Sequence, residues 1–318
     1  MGSSEKYTLI VSLNAAIDRI ISVARLDVGQ VQRSDHTLNQ AGGKGINVAR
    51  ALTALGQRVF VIGFAGGHTG EQIREDLHNS GIPYTLIPIM GHSRNCYIVV
   101  DQSTCSQTVI NEAGPQISAV EYEQFRQELM ARLDGAQLLI CSGSLPPGID
   151  AGCYGCYVRL AHTRGLKTLV DASGEALKLA LEAGPYMAKP NREEAEQLLG
   201  IKISDGNAVT AARHLRERGA GLGLVSLDGS GAAATWDGGE VFVRAPNVSA
   251  INAVACGDAF LAGCAAALLN DEPPSAMIEW GVAAGSANAL VGGARITRAE
   301  VERLRAEIAR SQGGNNEP

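Results

Sequence analysis

Aromatic residues are scarce in this sequence. Only 4% of its 318 residues are Phe, Trp or Tyr, whereas hydrophobic residues as a whole make up 45%. The core must therefore be built mainly from aliphatic side chains, a composition that fits a soluble α/β enzyme. Charged residues contribute 19%, and the net charge is -6, so the basic excess of a nucleic-acid-binding protein is also missing. Small anionic ligands are not excluded, because local clusters of charge hold them.

Signals for membranes, secretion and metal centres are absent as well. No apolar run is long enough to cross a bilayer, and the first residues lack the basic and apolar regions of a leader. The seven cysteines form an odd set, which indicates reduced thiols. Cys153 and Cys156 make a single CxxC with no second pair, and no histidine spacing matches a metal motif. We therefore expect a cytoplasmic protein without a membrane partner.

Short apolar runs alternate with helical patterns along most of the chain. The run from Tyr7 to Leu13 is typical of a buried parallel strand, and similar runs precede turns near residues 65, 141, 171 and 188. This alternation predicts an α/β fold with a doubly wound parallel sheet. Two segments, 17–40 and 90–112, have no helical period. They are predicted to form an inserted β structure within a single domain that spans residues 1–318.

The stretch 245–266 combines an extended segment, a tight turn and an apolar helix. The turn is Ala255-Cys256-Gly257-Asp258. A turn that opens a helix leaves backbone N–H groups unpaired, and these suit a phosphate. A carboxylate beside such amides is what phosphoryl transfer to an alcohol requires. The alternative is that Asp258 is an ordinary residue in the first turn of a helix.

A glycine turn near the N-terminus offers a second ligand site. Gly43 and its neighbours let the backbone approach a ligand closely, and Lys44 supplies a positive charge. The string matches neither a P-loop nor a Rossmann fingerprint, so a purely structural turn is the alternative. Asp18 follows the first strand at its carboxyl end, where open α/β sheets bind ligands, and either a sugar-binding or a loop-capping role fits it.

A glycine-rich loop interrupts three short strands predicted between residues 222 and 243. The loop, residues 228–231, could lie over a nucleotide, and a plain hairpin is the alternative. A later Ala/Gly-rich helix contains Asn288, whose small side chain would pack close to a flat base.

Taken together, these strings resemble the PfkB branch of the ribokinase-like carbohydrate kinases over about residues 7–310. The similarity is closest to the phosphosugar kinases, which include 1-phosphofructokinase and tagatose-6-phosphate kinase. The motifs that carry the resemblance are AGGKGINVAR, SGSLPPGI, DASGEAL, KPNREE, VSLDGSG, ACGDAF and GVAAGSANAL. Their order and approximate spacing also match the family.

The resemblance implies a three-layer α/β/α sandwich with a small β-sheet lid. It implies that Asp258 is the catalytic base, with the amides of Ala255, Cys256 and Gly257 as the anion hole. Asp18, Gly43, Lys44 and Asn47 are expected to face the sugar, and Ser142 belongs to the same substrate site. Arg94, with Arg33, is expected to hold the phosphate of the substrate. The residues expected around ATP are Lys189, Asn191, Ser226, Gly229, Gly231, Val254 and Asn288. Glu194 matches the acidic residue that organises Mg²⁺, and activation by K⁺ stays open.

Four positions depart from the family pattern, one of which is Ala15, where a proline is common. Ala255 replaces a glycine, so we expect its backbone to avoid positive φ. Asp228 stands where a glycine is usual, and there it could weaken nucleotide affinity or point to solvent. Val31 stands where the minor 6-phosphofructokinase has a lysine for its sugar phosphate, which argues against that enzyme.

The implied activity is ATP-dependent phosphorylation of a ketohexose monophosphate to a 1,6-bisphosphate, with fructose 1-phosphate or tagatose 6-phosphate as the acceptor. One alternative is a kinase for a free sugar or a nucleoside. Another is a non-catalytic regulator that binds sugar or nucleotide. Apolar residues such as Ile98 and Val100 on the lid strands further predict a homodimer joined through the lids.

Overall fold

Strand β1 (Tyr7–Ser12) lies inside the larger of two sheets. Its side chains alternate between two buried clusters, with Ile10 in one and Leu9 and Val11 in the other. A strand buried on both faces needs a continuous apolar sequence, and the sequence of β1 meets that need. The computed structural model describes residues 6–104, 106–251, 253–291 and 295–313.

The large sheet has nine strands in the order β13-β12-β11-β10-β9-β8-β1-β4-β5. The seven strands from β11 to β5 pair in parallel, and β12 and β13 extend the sheet by antiparallel pairing. Besides β1, the strands are β4 (Val59–Ala65), β5 (Tyr84–Pro88), β8 (Ala136–Ser142), β9 (Lys167–Asp171), β10 (Met187–Ala188), β11 (Leu222–Ser226), β12 (Gly231–Trp236) and β13 (Gly239–Arg244). The predicted doubly wound parallel sheet is confirmed.

Helices cover both faces of this sheet. One buried cluster contains residues of α1 (Lys44–Ala54), α2 (Gly67–Asn79), α8 (Cys256–Leu269), α9 (Pro274–Val291) and α10 (Arg298–Gly313). The other contains residues of α3 (Ala119–Leu133), α4 (Cys153–His162), α5 (Gly174–Leu181), α6 (Arg192–Leu199) and α7 (Ala208–Glu217). No helix in the described residues is both long and apolar enough to cross a membrane.

The second sheet has four strands in the order β3-β2-β6-β7. They are β2 (Ala16–Val23), β3 (His36–Gly42), β6 (Arg94–Asp101) and β7 (Ser106–Asn111). The expected small sheet is therefore present in the segments that lack a helical period. Of the two apolar residues that led us to predict a lid dimer, Ile98 is only 2% exposed, whereas Val100 is half-buried. The exposed apolar residues of this sheet are Val109 and Ile110 on β7, which are 48% and 59% exposed.

Candidate active site

The candidate residues collect at the carboxyl ends of the parallel strands. Ser142 and Asp171 end β8 and β9, Lys189 follows β10, and Ser226 ends β11. Since parallel strands end at one edge of a sheet, residues distant in sequence become neighbours there. Asp18 on β2 and Arg94 on β6 come from the small sheet, which meets the same edge.

Two cavities open at this edge. The first has a volume of about 810 Å³, and the predicted substrate residues that line it are Asp18, Gly43, Lys44, Asn47, Arg94 and Ser142. The second has a volume of about 700 Å³, and the predicted nucleotide residues that line it are Lys189, Asn191, Ser226, Gly229 and Gly231. Lys44, Glu194, Ala255 and Asp258 line both cavities. The helix start at residue 255 thus forms part of a shared wall.

Asp258 is a buried carboxylate on this shared wall. It is 6% exposed, and Asn47 donates a hydrogen bond of 2.9 Å from Nδ2 to Oδ2 of Asp258. Burial and, after it, the negative charge of Asp171 raise the pKa of Asp258 to about 6. The sequence did not predict a raised pKa for Asp258, because a solvated aspartate is already ionised at pH 7 and can accept a proton. The raised pKa arises from neighbours that only the fold brings together.

The turn before α8 adopts the backbone conformation that the sequence led us not to expect. Ala255 has a φ of 63°, in the left-handed region, so the expectation that it avoids positive φ is wrong. Asn288 of α9 stabilises this turn by donating to the carbonyl of Val254 at 2.7 Å and to the Cys256 thiol at 3.4 Å. Tertiary hydrogen bonds can hold an alanine in a conformation that costs roughly 1 kcal/mol.

Asn288 and Val254 do not line the second cavity. The Asn288 side chain is fully buried behind the turn and does not line the second cavity, while Val254 lines the first cavity. Gly285 and Ser286, on the same helix as Asn288, do line the second cavity. Sequence reasoning missed them because small residues in an apolar helix carry no local signal of a binding role.

Asp171 is a buried carboxylate of this region that the sequence-based predictions did not include. It is fully buried, and its two carboxylate oxygens contact two different ammonium groups, Lys44 at 2.8 Å and Lys189 at 2.9 Å. Lys44 also lies 3.4 Å from the carboxylate of Glu194. Burial disfavours charge on both partners, yet the ion pairs prevail. The pKa of Asp171 is lowered and that of Lys44 is raised, so both stay charged. A signal was available, since an aspartate that ends a parallel strand lies at the ligand-binding edge.

Asp18 and Gly42 are packed against each other at the mouth of the first cavity. Asp18 is 4% exposed, and a side chain at position 42 would overlap its carboxylate. Burial and, after it, the charge of Asp258 raise the pKa of Asp18 to about 7. A carboxyl group that is half protonated near neutrality both donates and accepts hydrogen bonds, which suits hydroxyl groups.

The two predicted phosphate-binding arginines end in different places. Arg94 lines the first cavity and donates to the carbonyls of Asn14 and Glu112, at 3.1 and 3.0 Å. Within the described part of the chain no carboxylate forms an ion pair with Arg94. Arg33 lies exposed in the loop between β2 and β3 and does not line the first cavity. In the same loop, Asp27 pairs with Arg25 at 2.9 Å.

Glu194 is the residue considered for a divalent cation. Its Oε2 accepts the Asn191 backbone N–H at 2.9 Å, which completes a capping box at the start of α6. Among the described residues, no group of three or more His, Cys, Asp or Glu side chains is arranged to hold a metal ion. Mg²⁺ at phosphate-transfer sites is bound by only one or two carboxylates together with phosphates and water, and Glu194 on the shared wall fits that pattern.

Comparisons with known proteins identify the family of the chain. The family model described as pfkB family carbohydrate kinase matches residues 8–300. The chain is 31% identical to tagatose-6-phosphate kinase of Staphylococcus epidermidis, over 89% of this chain and 92% of the relative. It is also 31% identical to 1-phosphofructokinase of Bacillus subtilis, over 88% and 91% of the two chains.

Solved structures show the same architecture. Phosphofructokinase-2 from Escherichia coli, in complex with substrates and products, superimposes with a TM-score of 0.89 at 28% identity, covering 96% of this chain and 100% of that one. A possible 1-phosphofructokinase from Thermotoga maritima gives a TM-score of 0.87 at 25% identity, with coverage of 94% and 97%.

A helix-covered parallel sheet, a small second sheet and two cavities that meet at a buried aspartate define a ribokinase-like kinase fold. The family model that matches residues 8–300 identifies the family within this fold. The chain belongs to the pfkB family of carbohydrate kinases.

Proposed function

We propose that the protein is an ATP-dependent kinase that phosphorylates a ketohexose monophosphate, fructose 1-phosphate or tagatose 6-phosphate, to the 1,6-bisphosphate. The observation that carries this proposal is the position of Asp258. Its carboxylate lies on the wall shared by two cavities, directly after a turn of backbone amides. The acceptor would occupy the first cavity, and ATP would occupy the second.

In this mechanism Asp258 accepts the proton of the primary hydroxyl of the sugar. The hydroxyl oxygen then forms a bond to the γ-phosphorus, while the bond from that phosphorus to the β,γ-bridging oxygen breaks and ADP leaves. With a pKa of about 6, Asp258 is mostly ionised at neutral pH and is a stronger base than a solvated aspartate. The amides of residues 255–257 and the positive end of α8 would stabilise the developing charge.

The second cavity supplies the groups that a nucleotide needs. Lys189, Asn191 and Ser226 are polar, and Gly229 and Gly231 leave room above them. Asp228 has a φ of 51° and is exposed beside these residues. Asn288 would act indirectly, by holding the turn at Ala255. Glu194 would hold Mg²⁺ through its bound waters, and the ion would neutralise charge on the phosphates.

Arg94 is the group that we assign to the phosphate already present on the substrate. The ammonium group of Lys44 is held by Asp171 and Glu194, so its charge is largely compensated within the chain. Arg94 contacts only neutral carbonyls among its described hydrogen-bond partners, and its guanidinium lies at the first cavity. A phosphate would provide the anion that this arginine lacks, bound in a bidentate manner. The names of both curated relatives also point to phosphorylated sugars.

We also propose that the small sheet acts as a lid and as a dimer interface. The edge strand β7 exposes Val109 and Ile110, and the loop before β3 exposes Val28 and Val31, which are 95% and 97% exposed. Edge strands with apolar side chains favour pairing with a second copy. Arg33 lies in the same exposed loop, so a dimer would determine which surface it meets. A similar structure is described as the tetrameric inhibited form of phosphofructokinase-2 from Escherichia coli.

A coupled assay of ADP formation tests the proposed activity. Fructose 1-phosphate and tagatose 6-phosphate are compared with free fructose, tagatose, ribose and adenosine, each with ATP and Mg²⁺. We expect one of the two phosphosugars to give the highest kcat/KM. A higher kcat/KM for any free sugar or for adenosine would replace the phosphosugar assignment. Binding of sugar and nucleotide with no turnover of any acceptor would instead support a regulator.

A further inference from the structure

One carboxylate connects the two cavities. Asp171 ends β9, and its Oδ1 lies 2.8 Å from Nζ of Lys44, while its Oδ2 lies 2.9 Å from Nζ of Lys189. Lys44 is the first residue of α1, whereas Lys189 follows β10. The two ammonium groups therefore come from separate segments and depend on the same anion for their positions.

Both lysines face the region through which a phosphoryl group would pass. Lys44 lines both cavities, and Lys189 lines the second. The Lys189 side chain is only 3% exposed, and the Asp171 side chain is 1% exposed. An unpaired ion at this depth would be costly to desolvate, and the Asp171 carboxylate compensates the charge of the Lys189 ammonium group. Asp171 itself lines only the second cavity, below the two ammonium groups.

We propose that Asp171 is a positioning residue for phosphoryl transfer, which holds the ammonium groups of Lys44 and Lys189 in fixed places beside Asp258. This inference rests on the proposed function. Asp171 would not contact the transferred group. It would act through the two lysines, whose fixed positions need no reorganisation when charge develops on the γ-phosphoryl oxygens. Three carboxylates, those of Asp171, Glu194 and Asp258, lie close to the two lysines. The negative charge of a phosphoryl group would therefore be stabilised there only if the ammonium groups are correctly placed.

The same cluster sets the electrostatic environment of Asp258. The charged groups that act on Asp258 are Asp171, Lys44 and Lys189, together with the Asn47 amide. Asp18 and Asp258 also interact, from the side of the small sheet. Asp171 raises the pKa of Asp258, and the two lysines lower it. Neutralising Asp171 should therefore make Asp258 easier to ionise, whereas lengthening it should not.

Two variants separate the charge of Asp171 from its geometry. Asp171→Asn removes the negative charge at nearly constant volume, and Asp171→Glu keeps the charge on a longer side chain. Glu121→Gln is the matched control, since Glu121 is a buried carboxylate in the capping box of α3 and lines neither cavity. For each variant we would measure Tm, the pH profile of kcat/KM and the Kd of the ATP analogue AMP-PNP.

We expect Asp171→Asn to lower kcat at least tenfold and to move the acid limb of kcat/KM to lower pH. The Kd of AMP-PNP should rise less than threefold. The loss of a negative charge favours binding of the anionic nucleotide, and this offsets the less precise placement of the two lysines. Asp171→Glu should lower kcat but keep the acid limb at the wild-type pH, and Glu121→Gln should change neither quantity. A purely structural role would instead weaken AMP-PNP binding along with kcat and leave the acid limb in place, and that result would overturn the proposal.

Failure of this proposal is distinguishable from failure of the proposed function. The acceptor preference is read from the wild-type protein alone, and the Asp171 comparison is run with whichever acceptor the wild type phosphorylates best. If Asp171→Asn is too unstable to purify, the variant Lys189→Met provides the second test. With Lys189 neutral, kcat should fall at least tenfold and the acid limb should move to higher pH. An unchanged kcat in this variant would contradict the proposal.

Discussion

Asn47 donates a hydrogen bond of 2.9 Å to Asp258, a residue 211 positions further along the chain. Asn47 belongs to α1, which begins in the glycine turn, and Asp258 belongs to the first turn of α8. The bond thus ties the proposed sugar-binding turn to the proposed base. A hydrogen bond to the ionised form of a carboxyl group lowers its pKa, so Asn47 opposes the effect of burial on Asp258.

Asp258→Asn should lower kcat at least about a hundredfold while leaving sugar-phosphate binding nearly unchanged, because only the proton acceptor is lost. Steady-state kinetics and titration calorimetry of the sugar phosphate measure the two quantities. Glu194→Gln, on the same wall, should change the Mg²⁺ dependence instead. If Asp258→Asn retained more than a tenth of wild-type kcat, Asp258 could not be the base.

The same variant should be more stable than the wild type at neutral pH. The pKa of Asp258 is about 6 in the folded protein and 3.8 as its unperturbed value, so the folded protein holds its proton more tightly. Ionisation of Asp258 therefore destabilises the folded protein. This effect is absent below the unperturbed pKa of 3.8 and is complete above about pH 6. At 1.36 kcal/mol per pKa unit, it amounts to on the order of 2–3 kcal/mol. Thermal unfolding should therefore show a higher Tm for Asp258→Asn at pH 7.5 and almost no gain at pH 4.

The activity should fall as the pH decreases through about 6, where Asp258 becomes protonated. Asn47→Ala removes a bond that lowers the pKa of Asp258, so the acid limb of kcat/KM should move to higher pH. Thr53→Ala is the control, since Thr53 lies on α1 and its hydroxyl donates to the Ala49 carbonyl. An acid limb at the same pH in Asn47→Ala and wild type would argue against Asp258 as the titrating group.

Arg94→Ala should cost about 2–4 kcal/mol in kcat/KM for the phosphosugar and little in KM for ATP, in line with the loss of a charged contact. Arg74→Ala is a matched control, because Arg74 also donates to two backbone carbonyls but lines neither main cavity. A similar loss in both variants, or an equal loss with a free sugar as acceptor, would contradict a phosphate contact for Arg94.

Ala255→Gly should leave the free energy of unfolding within about 0.5 kcal/mol of the wild type. Glycine relieves the strain of a φ of 63°, which offsets the greater freedom that it gives the unfolded chain. Ala306→Gly, in the exposed middle of α10, should cost about 1 kcal/mol because no strain is relieved there. Denaturant unfolding compares the two, and equal losses would show that Ala255 is unstrained.

Ile110→Glu should convert a dimer into a monomer, because it places a charge on the apolar edge strand β7. Val120→Glu is the control, since Val120 is 69% exposed on α3, away from the small sheet. Light scattering at micromolar concentration gives the mass of each variant. A fully active wild-type monomer under these conditions would refute the lid dimer.

Features that depend on neighbouring residues in the sequence could be predicted, whereas features that depend on residues far apart in the sequence could not. The alternation of strands and helices and the place of Asp258 depend on local patterns, and both could be predicted. The roles of Asp171 and Asn288 depend on partners brought together by the fold, Lys44 and Lys189 for one and the Ala255 turn for the other. The raised pKa of Asp258 has the same origin, because burial and distant charges cause it.

The backbone conformation of Ala255 was also predicted incorrectly from the sequence. An alanine at positive φ is unusual, so a sequence-based prediction must place Ala255 elsewhere. The hydrogen bonds from Asn288 reverse that preference. Arg33 is a different case, since it lies in an exposed loop, and the surface that it meets would depend on the proposed lid dimer.

The packing of Gly42 against Asp18 restricts how the acceptor specificity could change during evolution or in the laboratory. A side chain at position 42 would overlap the Asp18 carboxylate unless that carboxylate moved, so a library that varies position 42 alone should be strongly enriched in glycine among its active members. Shortening residue 18 would create the space, at the expense of the group expected to hold the sugar hydroxyls. Positions 18 and 42 therefore form a coupled pair in sequence space. New specificities should appear only in libraries that randomise both positions at once.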